Sequence, residues 1–361
     1  MGINNIIVYI VIGCFCLGAI DKCIGNRWGL GQRFTDGFMA MGSLTLAMVG
    51  IISLAPVLAS ILTPIIAPVY GLVGADPAAF ANTLLAIDMG GYALATEMSQ
   101  RADAELFSWV FLGTMMGPTL VFTIPVALGI IQKEDQPYFA KGILLGLITV
   151  PIGCLVGGVV ADINILTIIK NLIPTIIFSV LISIGLWKYT NRMIAGFSIF
   201  AKCIEVLAIV GLTAISVQTL TGFMIIPNMA PLMDGIKTVA MIVLFLAGAF
   251  PLVAVISKTL HKPLGKIGAL LGISETSTTG LVASLAHAIP MLSILKDMDS
   301  RGKVINVAFA VSGAFVFGGH LGFVAGINKE VVFAMIVGKL VGGLSAVILA
   351  VVATRKSRGK G

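Results

Sequence analysis

Apolar runs of about 20 residues, the length that carries a helix across roughly 30 Å of hydrocarbon, recur along this chain with only short polar stretches between them. The pattern predicts full spans at residues 3–20, 38–62, 106–131, 142–160, 165–187, 193–223, 236–256, 304–326 and 331–353. The first run has neither the basic flank nor the small-residue cleavage site of a secretory signal, and it leads into further membrane sequence, so it is read as a span. Residues 38–73 carry Pro56, Pro64 and Pro68, and an extra crossing hidden among them would reverse the side of every later loop.

Two further segments are apolar but interrupted. Residues 75–101 are broken by Asp88-Met89-Gly90-Gly91, and residues 267–296 by the polar run Ser274 to Gly280. Each either crosses once or folds back on itself. Lysine and arginine concentrate in cytoplasmic loops, so their distribution discriminates between the two readings. With both segments folded back and the N-terminus outside, the cytoplasmic side receives Lys22, Arg27, Arg33, Lys133, Lys141, Lys188, Arg192, Lys258, Lys262, Lys266, Lys296, Arg301, Lys303, Arg355, Lys356, Arg358 and Lys360. The outside receives Arg101, Lys170, Lys237 and Lys329, and Lys202 and Lys339 stay inside spans. If both segments cross, the cluster Lys258, Lys262 and Lys266 moves outside, so two re-entrant hairpins fit better.

The halves also echo one another. Gly129 to Glu134, Phe139-Ala140 and the pair Gly142/Gly146 recur as Gly326 to Glu330, Phe333-Ala334 and Gly338/Gly342. In each half a proline-bearing span, an interrupted segment and a glycine-rich span come first. The expected organisation is a first span and basic loop (1–36), repeat A (37–164) with its re-entrant segment at 75–101, connecting spans (165–235), repeat B (236–354) with its re-entrant segment at 267–296, and a basic tail (355–361). With hairpins that do not cross, the two units enter from opposite sides. The fold class is an all-α polytopic membrane protein of about nine transmembrane helices plus two re-entrant hairpins, in an inverted repeat.

Composition agrees: 58% of the residues are hydrophobic, 11% are charged, and mean hydropathy is +1.07, far from the balance of a water-soluble domain. The net charge of +7 lies in short loops rather than on a soluble basic face, which argues against nucleic acid as a partner. Five cysteines without CxxC or Cys/His spacing give no disulfide framework and no zinc site. No GxSxG, HExxH or P-loop motif is present, so neither an enzyme nor a bound cofactor or metal is expected. The repeat with broken segments favours a carrier over a channel.

Candidate chemistry lies at the breaks, because non-helical backbone at membrane depth needs protein or a water-filled cavity around it. Asp88, beside Gly90 and Gly91, either meets a substrate ammonium or caps the half-helix that follows. Asn82, Thr83 and Tyr92 flank it. Glu275 and Thr278, in the hydroxyl-rich run, belong either to a gate at the second hairpin's tip or to the start of a helix near Leu281. Gly117-Pro118-Thr119 and Gly318-Gly319-His320 interrupt the spans after each hairpin and bring Thr119 and His320 into the candidate substrate site. Trp109 joins Tyr92 as a possible cation-π face. The small-xxx-small pairs fit helix contacts within one chain or between copies, which leaves a homo-oligomer open.

Several passages resemble a known family: GFMAMGSLTLAMVG (Gly37 to Gly50), LLAIDMGGYALA (Leu84 to Ala95), MMGPTLVFTIPVALGII (Met115 to Ile131), RGKVINVAFAVS (Arg301 to Ser312), HLGF (His320 to Phe323) and MIVGKLVGG (Met335 to Gly343). They are similar to the ethanolamine permeases of bacterial ethanolamine-utilisation operons. The resemblance implies a multi-pass protein of the cytoplasmic (inner) membrane whose partners are the lipid bilayer and ethanolamine, a small cation with an ammonium at one end and a hydroxyl at the other. The family's Asp-Met-Gly-Gly and Gly-Pro-Thr motifs fall on Asp88 to Gly91 and Gly117 to Thr119, with Thr83 and His320 adjoining. The residues alone would also suit another small amine or polar metabolite.

Overall fold

The computed structural model describes residues 2–354; the expected basic tail, 355–361, lies outside the described residues, as do the side chains of Lys262 and Lys266. Among the described residues every regular element is helical. Eight helices are long and apolar enough to cross a membrane, and they coincide with eight of the expected runs. Large aliphatic side chains such as Leu46, Ile65, Leu181 and Ile348 are each more than half exposed, as they must be where the solvent is lipid.

The chain opens with α1 (Ile3–Cys23) and α2 (Leu30–Gly71). The three prolines do not stop α2, which runs unbroken through 42 residues, so no reversal is hidden between residues 38 and 71. At 1.5 Å per residue it is about 60 Å long, roughly twice the hydrocarbon thickness, and must lean steeply or project beyond it. Next come the short helices α3 (Ala78–Leu84) and α4 (Tyr92–Met98), then α5 (Ala102–Ile130), the most deeply buried of the long helices, which carries π-helical turns at Ser108–Leu112 and Thr119–Thr123. After a 3₁₀ turn at Lys133–Asp135 follow α6 (Gln136–Val160) and α7 (Ile165–Thr221). The two expected spans here, 165–187 and 193–223, are present as the two halves of α7, each long and apolar enough to cross a membrane; no loop separates them, and the chain passes from one to the other at Tyr189, which alone leaves helical angles (φ −136°, ψ 43°). The turn is a kink.

The second half begins with α8 (Leu232–Leu271), continues with α9 (Glu275–Ala286) and α10 (Ala288–Ser293), then α11 (Ser300–Gly313) and α12 (Gly319–Ile327), and closes through a 3₁₀ turn at Lys329–Val331 into α13 (Val332–Ala353). The expected span 304–326 is therefore two helices separated by a non-helical stretch at 314–318. The same order recurs in both halves: a long helix (α2, α8), a pair of short helices (α3–α4, α9–α10), a central helix with an irregularity (α5, α11–α12), a 3₁₀ turn and a closing helix (α6, α13).

Each pair of short helices folds back so that its ends meet. Asp76 Oδ2 accepts the backbone N–H of Gln100 at 3.0 Å, and its other oxygen accepts from Ala78 N at 2.9 Å. In the second half Asp299 accepts from Ser274 N at 2.8 Å, Ser277 Oγ at 2.7 Å and Gly302 N at 2.9 Å. The first folded segment runs from Asp76 to Gln100, inside the interrupted stretch 75–101. The second runs from Ser274 to Asp299 rather than 267–296, because α8 continues to Leu271.

The closing helices pack on each other through glycines. A Cβ on Gly153 would lie 2.6 Å from the Gly338 carbonyl oxygen, and one on Gly338 would lie 2.9 Å from that of Gly153. On another stretch of α6, Gly142 and Gly146 face Val307 and Val311 of α11. These small residues let backbones touch inside the chain, so they give no ground for an assembly of copies.

Candidate substrate site at the broken helices

The first folded segment turns at residues 85–91. Gly90 has φ +89°, in the left-handed region, and a Cβ there would collide with Ile51 of α2. A Cβ on Gly91 would sit 2.7 Å from the Leu85 oxygen and 2.6 Å from that of Ala86. Ala86 O closes the turn by accepting Met89 N and Gly91 N, both at 3.0 Å. Asp88 therefore stands on a backbone that only glycine neighbours permit. It is partly exposed, and among the described residues its carboxylate is met by its own backbone N–H alone and by no ion pair.

The turn is held against α5 and faces the second half. A Cβ on Gly117 would collide with the Leu85 carbonyl oxygen, and one on Gly113 would come within 3.4 Å of Ile87 Cβ. Tyr92 packs edge-on against Trp109 of α5, with ring centroids 5.4 Å apart, and against Phe323 of α12 at 5.7 Å. The contact with Phe323 brings the first folded segment to the broken helix of the other half.

The second break mirrors this. Phe315 N donates to Ser284 O and Phe317 N to Leu285 O, both at 3.0 Å, so backbone of the folded pair satisfies backbone of the gap between α11 and α12. Gly318 lies so close to Ala286 O that a Cβ would collide with it. Phe315, at φ +63°, stacks its ring 4.6 Å from His287, 5.0 Å from His320 and 5.7 Å from Phe122. His320 is 3% exposed, and its Nδ1 has no hydrogen-bond partner. His287 Nδ1 accepts Ile289 N and caps α10.

The remaining sequence candidates have other duties. Thr83 Oγ1 bonds Thr175 Oγ1 of α7 at 2.9 Å, and Thr119 Oγ1 bonds Met115 O of its own helix at 2.9 Å. Asn82 is fully buried; its Oδ1 accepts from Ser108 Oγ at 3.0 Å, and its Nδ2 lies over Gly91 and Gly113. It braces the turn from behind. The run Ser274 to Gly280, expected either as a tip or as the start of a helix, takes the second role at the base of the second folded segment and starts α9: Ser274 Oγ accepts Ser277 N at 3.2 Å. Glu275 there is exposed, and Thr278 bonds Ser274 O at 3.1 Å under Gly268. The true break of that pair is His287, extended at φ −160° and ψ 141°. Phe323, Phe315 and Phe122 were not singled out by the sequence, where they read as ordinary apolar residues of spans.

Among the described residues no group of three or more His, Cys, Asp or Glu side chains could hold a metal ion. Long apolar helices around centrally broken ones, with the broken backbone satisfied by protein, define a polytopic membrane protein built as transport proteins are built. Comparison with known proteins agrees. The chain belongs to the family described as "Ethanolamine utilisation protein, EutH", which it matches over residues 3–353. It is 62% identical over 346 residues to the "Uncharacterized protein YxeR" of Bacillus subtilis, covering 96% of this chain and 94% of that one. It is 59% identical over 351 residues to the "Probable ethanolamine permease EutH" of Listeria monocytogenes (97% and 94%), and 43% identical over 394 aligned residues to that of Salmonella typhimurium (99% and 97%). No solved structure matches.

Proposed function

We propose that this protein is a carrier that takes up ethanolamine across the cytoplasmic membrane, binding the ammonium at Asp88. The observation that carries this reading is the Asp88 carboxylate itself. An acid within apolar helices is costly unless a partner neutralises it, and here no partner is supplied by the described residues. The Tyr92 and Trp109 rings beside the turn offer faces to a cation. Thr83 and Thr119 are already bonded, which leaves the unpartnered Nδ1 of His320 as the polar atom for the alcohol end. Relatives in Listeria and Salmonella carry the name of probable ethanolamine permeases.

The same reading places the two folded segments as re-entrant hairpins of an inverted repeat, with the N-terminus outside and the C-terminus in the cytoplasm. Contacts between distant loops support it. Lys258 Nζ reaches Trp28 O at 3.1 Å, Lys141 Nζ reaches Ala353 O at 3.0 Å, and Lys303 pairs with Asp135, all on the side assigned to the cytoplasm. Asn4 Nδ2 bonds Glu330 O, and Lys170 lies against Gly74, both on the other side. The topology requires the chain to turn at the Tyr189 kink, which is flanked by exposed Trp187, Lys188 and Arg192, the aromatic and basic signature of a membrane interface.

Counterflow tests the function. Liposomes holding purified protein and loaded with unlabelled ethanolamine should accumulate external labelled ethanolamine in a saturable way. Accumulation driven equally by unrelated amines would make it a carrier of another specificity, and flux that never saturates would make it a channel.

A further inference from the structure

A groove of about 470 Å³ lies between the end of α2, the first folded segment and the first half of α7. Val69 and Val73 form one wall, Phe80 and Leu84 of α3 the floor, and Ile177 and Leu181 of α7 the other wall. Tyr70 stands edge-on to Phe80, with ring centroids 6.2 Å apart, and the Thr83 hydroxyl is already engaged by Thr175 Oγ1 at 2.9 Å. Every other lining side chain is aliphatic or phenyl. Val69, Ile177 and Leu181 are 58%, 55% and 60% exposed, so the groove opens sideways onto the surface that faces lipid. Its volume falls within the roughly 300–1,000 Å³ of small-molecule sites, and its lining calls for hydrocarbon.

A cation stands at one end of it. Lys170 precedes Pro174, a lining residue, by one turn of α7, and its Nζ lies 3.2 Å from where a Cβ on Gly74 would sit, directly beside Val73. No carboxylate pairs with Lys170 among the described residues. From Lys170 to Leu181 the helix rises about 16 Å at 1.5 Å per residue, close to the depth of one leaflet in a hydrocarbon core of roughly 30 Å. A phospholipid has this form, an anionic phosphate above an acyl chain one leaflet long. We propose that the groove seats an acyl chain of an anionic phospholipid from the surrounding bilayer, with the phosphate at Lys170. Apolar walls gain no hydrophobic energy by exchanging one lipid tail for another, so the selectivity comes from the charge at the headgroup. The floor of the groove is the first half of the segment whose turn carries Asp88. A lipid seated there wedges α3 against α7 beside the Thr83–Thr175 bond and steadies that segment.

The test is native mass spectrometry of the full-length protein, purified in detergent and mixed with equal amounts of phosphatidylglycerol and phosphatidylcholine carrying the same acyl chains. Wild type should retain one phosphatidylglycerol with a preference of about fivefold, the weight of one basic side chain at an anionic membrane surface, and should melt higher with that lipid than with phosphatidylcholine. Lys170→Gln should retain the two lipids equally. Ile177→Trp, which fills the groove from its half-exposed wall, should retain neither, and Val69→Trp on the facing wall serves if that variant does not fold. A preference unchanged in Lys170→Gln, retention unchanged in the tryptophan variants, or no retained lipid in wild type would each overturn the proposal. A dimer mass that Ile177→Trp converts to a monomer would overturn it too, by giving the groove to a second copy of the chain. None of these outcomes bears on Asp88.

Discussion

Asp76 accepts the backbone N–H of Gln100 at 3.0 Å, a contact that spans 24 residues of sequence and closes the open end of the first folded segment. Asp299 does the same for the second segment through Ser274 N at 2.8 Å. The acid stands at the entry of one segment and at the exit of the other. Each clasp leaves the opposite end of its segment, the break, free to face the broken helix that follows.

Removing the first clasp should loosen the segment without touching Asp88. Asp76 is 5% exposed and holds two backbone donors, so Asp76→Ala leaves the buried Ala78 amide unpaired and releases that of the more exposed Gln100. The expected cost is about 1–3 kcal/mol, read as a lowered melting temperature of the purified protein. Asp76→Asn keeps one acceptor oxygen and should cost less.

The second clasp is sensitive to acid. Burial raises the Asp299 carboxyl, but hydrogen bonds from Ser274, Ser277 and Gly302 outweigh it and hold the group below the usual carboxylate range. A depressed value means that its stabilisation is present above the unfolded pKa of about 3.9 and is lost as pH falls through the folded value. Wild type should therefore melt earlier on acidification below about pH 4. Asp299→Asn should be less stable than wild type at pH 7, and the difference between them should shrink as the pH drops. A constant difference across the range would show that the charge is not what closes the segment.

The two breaks depend on glycines with no room for a methyl group. Gly117→Ala would drive a Cβ into Leu85 O, and Gly318→Ala would drive one into Ala286 O. In both cases the obstacle is backbone, which cannot swing aside, and each variant should lose about 1–3 kcal/mol along with transport. Gly42→Ala and Gly196→Ala meet nothing within 4 Å and should melt like wild type. Equal tolerance at all four positions would mean that the turns do not touch the central helices this closely.

Much of this architecture is legible in the chain because lipid imposes a simple pattern. Eight spans follow from apolar run length alone, and the first break announces itself because Asp88, Gly90 and Gly91 interrupt such a run. The second break does not: His287 is flanked by alanines, and one extended residue leaves no compositional mark. The hydroxyls of Ser274 to Gly280 leave two readings open for a physical reason, since a cluster that satisfies N–H groups at a helix start has the same composition as a ligand-binding tip. Asp76 and Asp299 carry no signal in the sequence, because their long-range partners are backbone amides that any residue could supply. The bond from the buried Lys339 Nζ to the Thr114 carbonyl oxygen, which Pro118 leaves free, joins positions 225 apart in sequence, visible only once the halves are packed.

The sidedness of the loops can be read directly. Single cysteines placed at Lys133 and Lys258 should be labelled by an impermeant reagent only from the cytoplasmic face, and cysteines at Lys170 and Lys329 only from outside. Labelling of Lys133 and Lys258 from opposite faces would mean that the chain does not reverse at the Tyr189 kink, labelling of both from outside would mean that the first folded segment crosses the membrane, and labelling of Lys329 alone from the wrong face would mean that the second does.

Asp88 carries the most exposed prediction. Replacing it with asparagine keeps the size and the turn, because the main-chain bonds that close residues 85–91 are made by Ala86 O and do not involve the side chain. The variant should fold with an unchanged melting temperature, or a raised one, since an unpaired carboxylate among apolar helices is a liability in the empty protein. Its affinity for ethanolamine should nevertheless fall at least tenfold, the scale of one charge-assisted hydrogen bond, worth about 1.5–3 kcal/mol. Asp88→Glu, which keeps the charge but lengthens the arm, should recover part of the binding. A folded Asp88→Asn protein that binds as tightly as wild type would remove Asp88 from the site and leave the ammonium to the aromatic faces of Tyr92 and Trp109 alone.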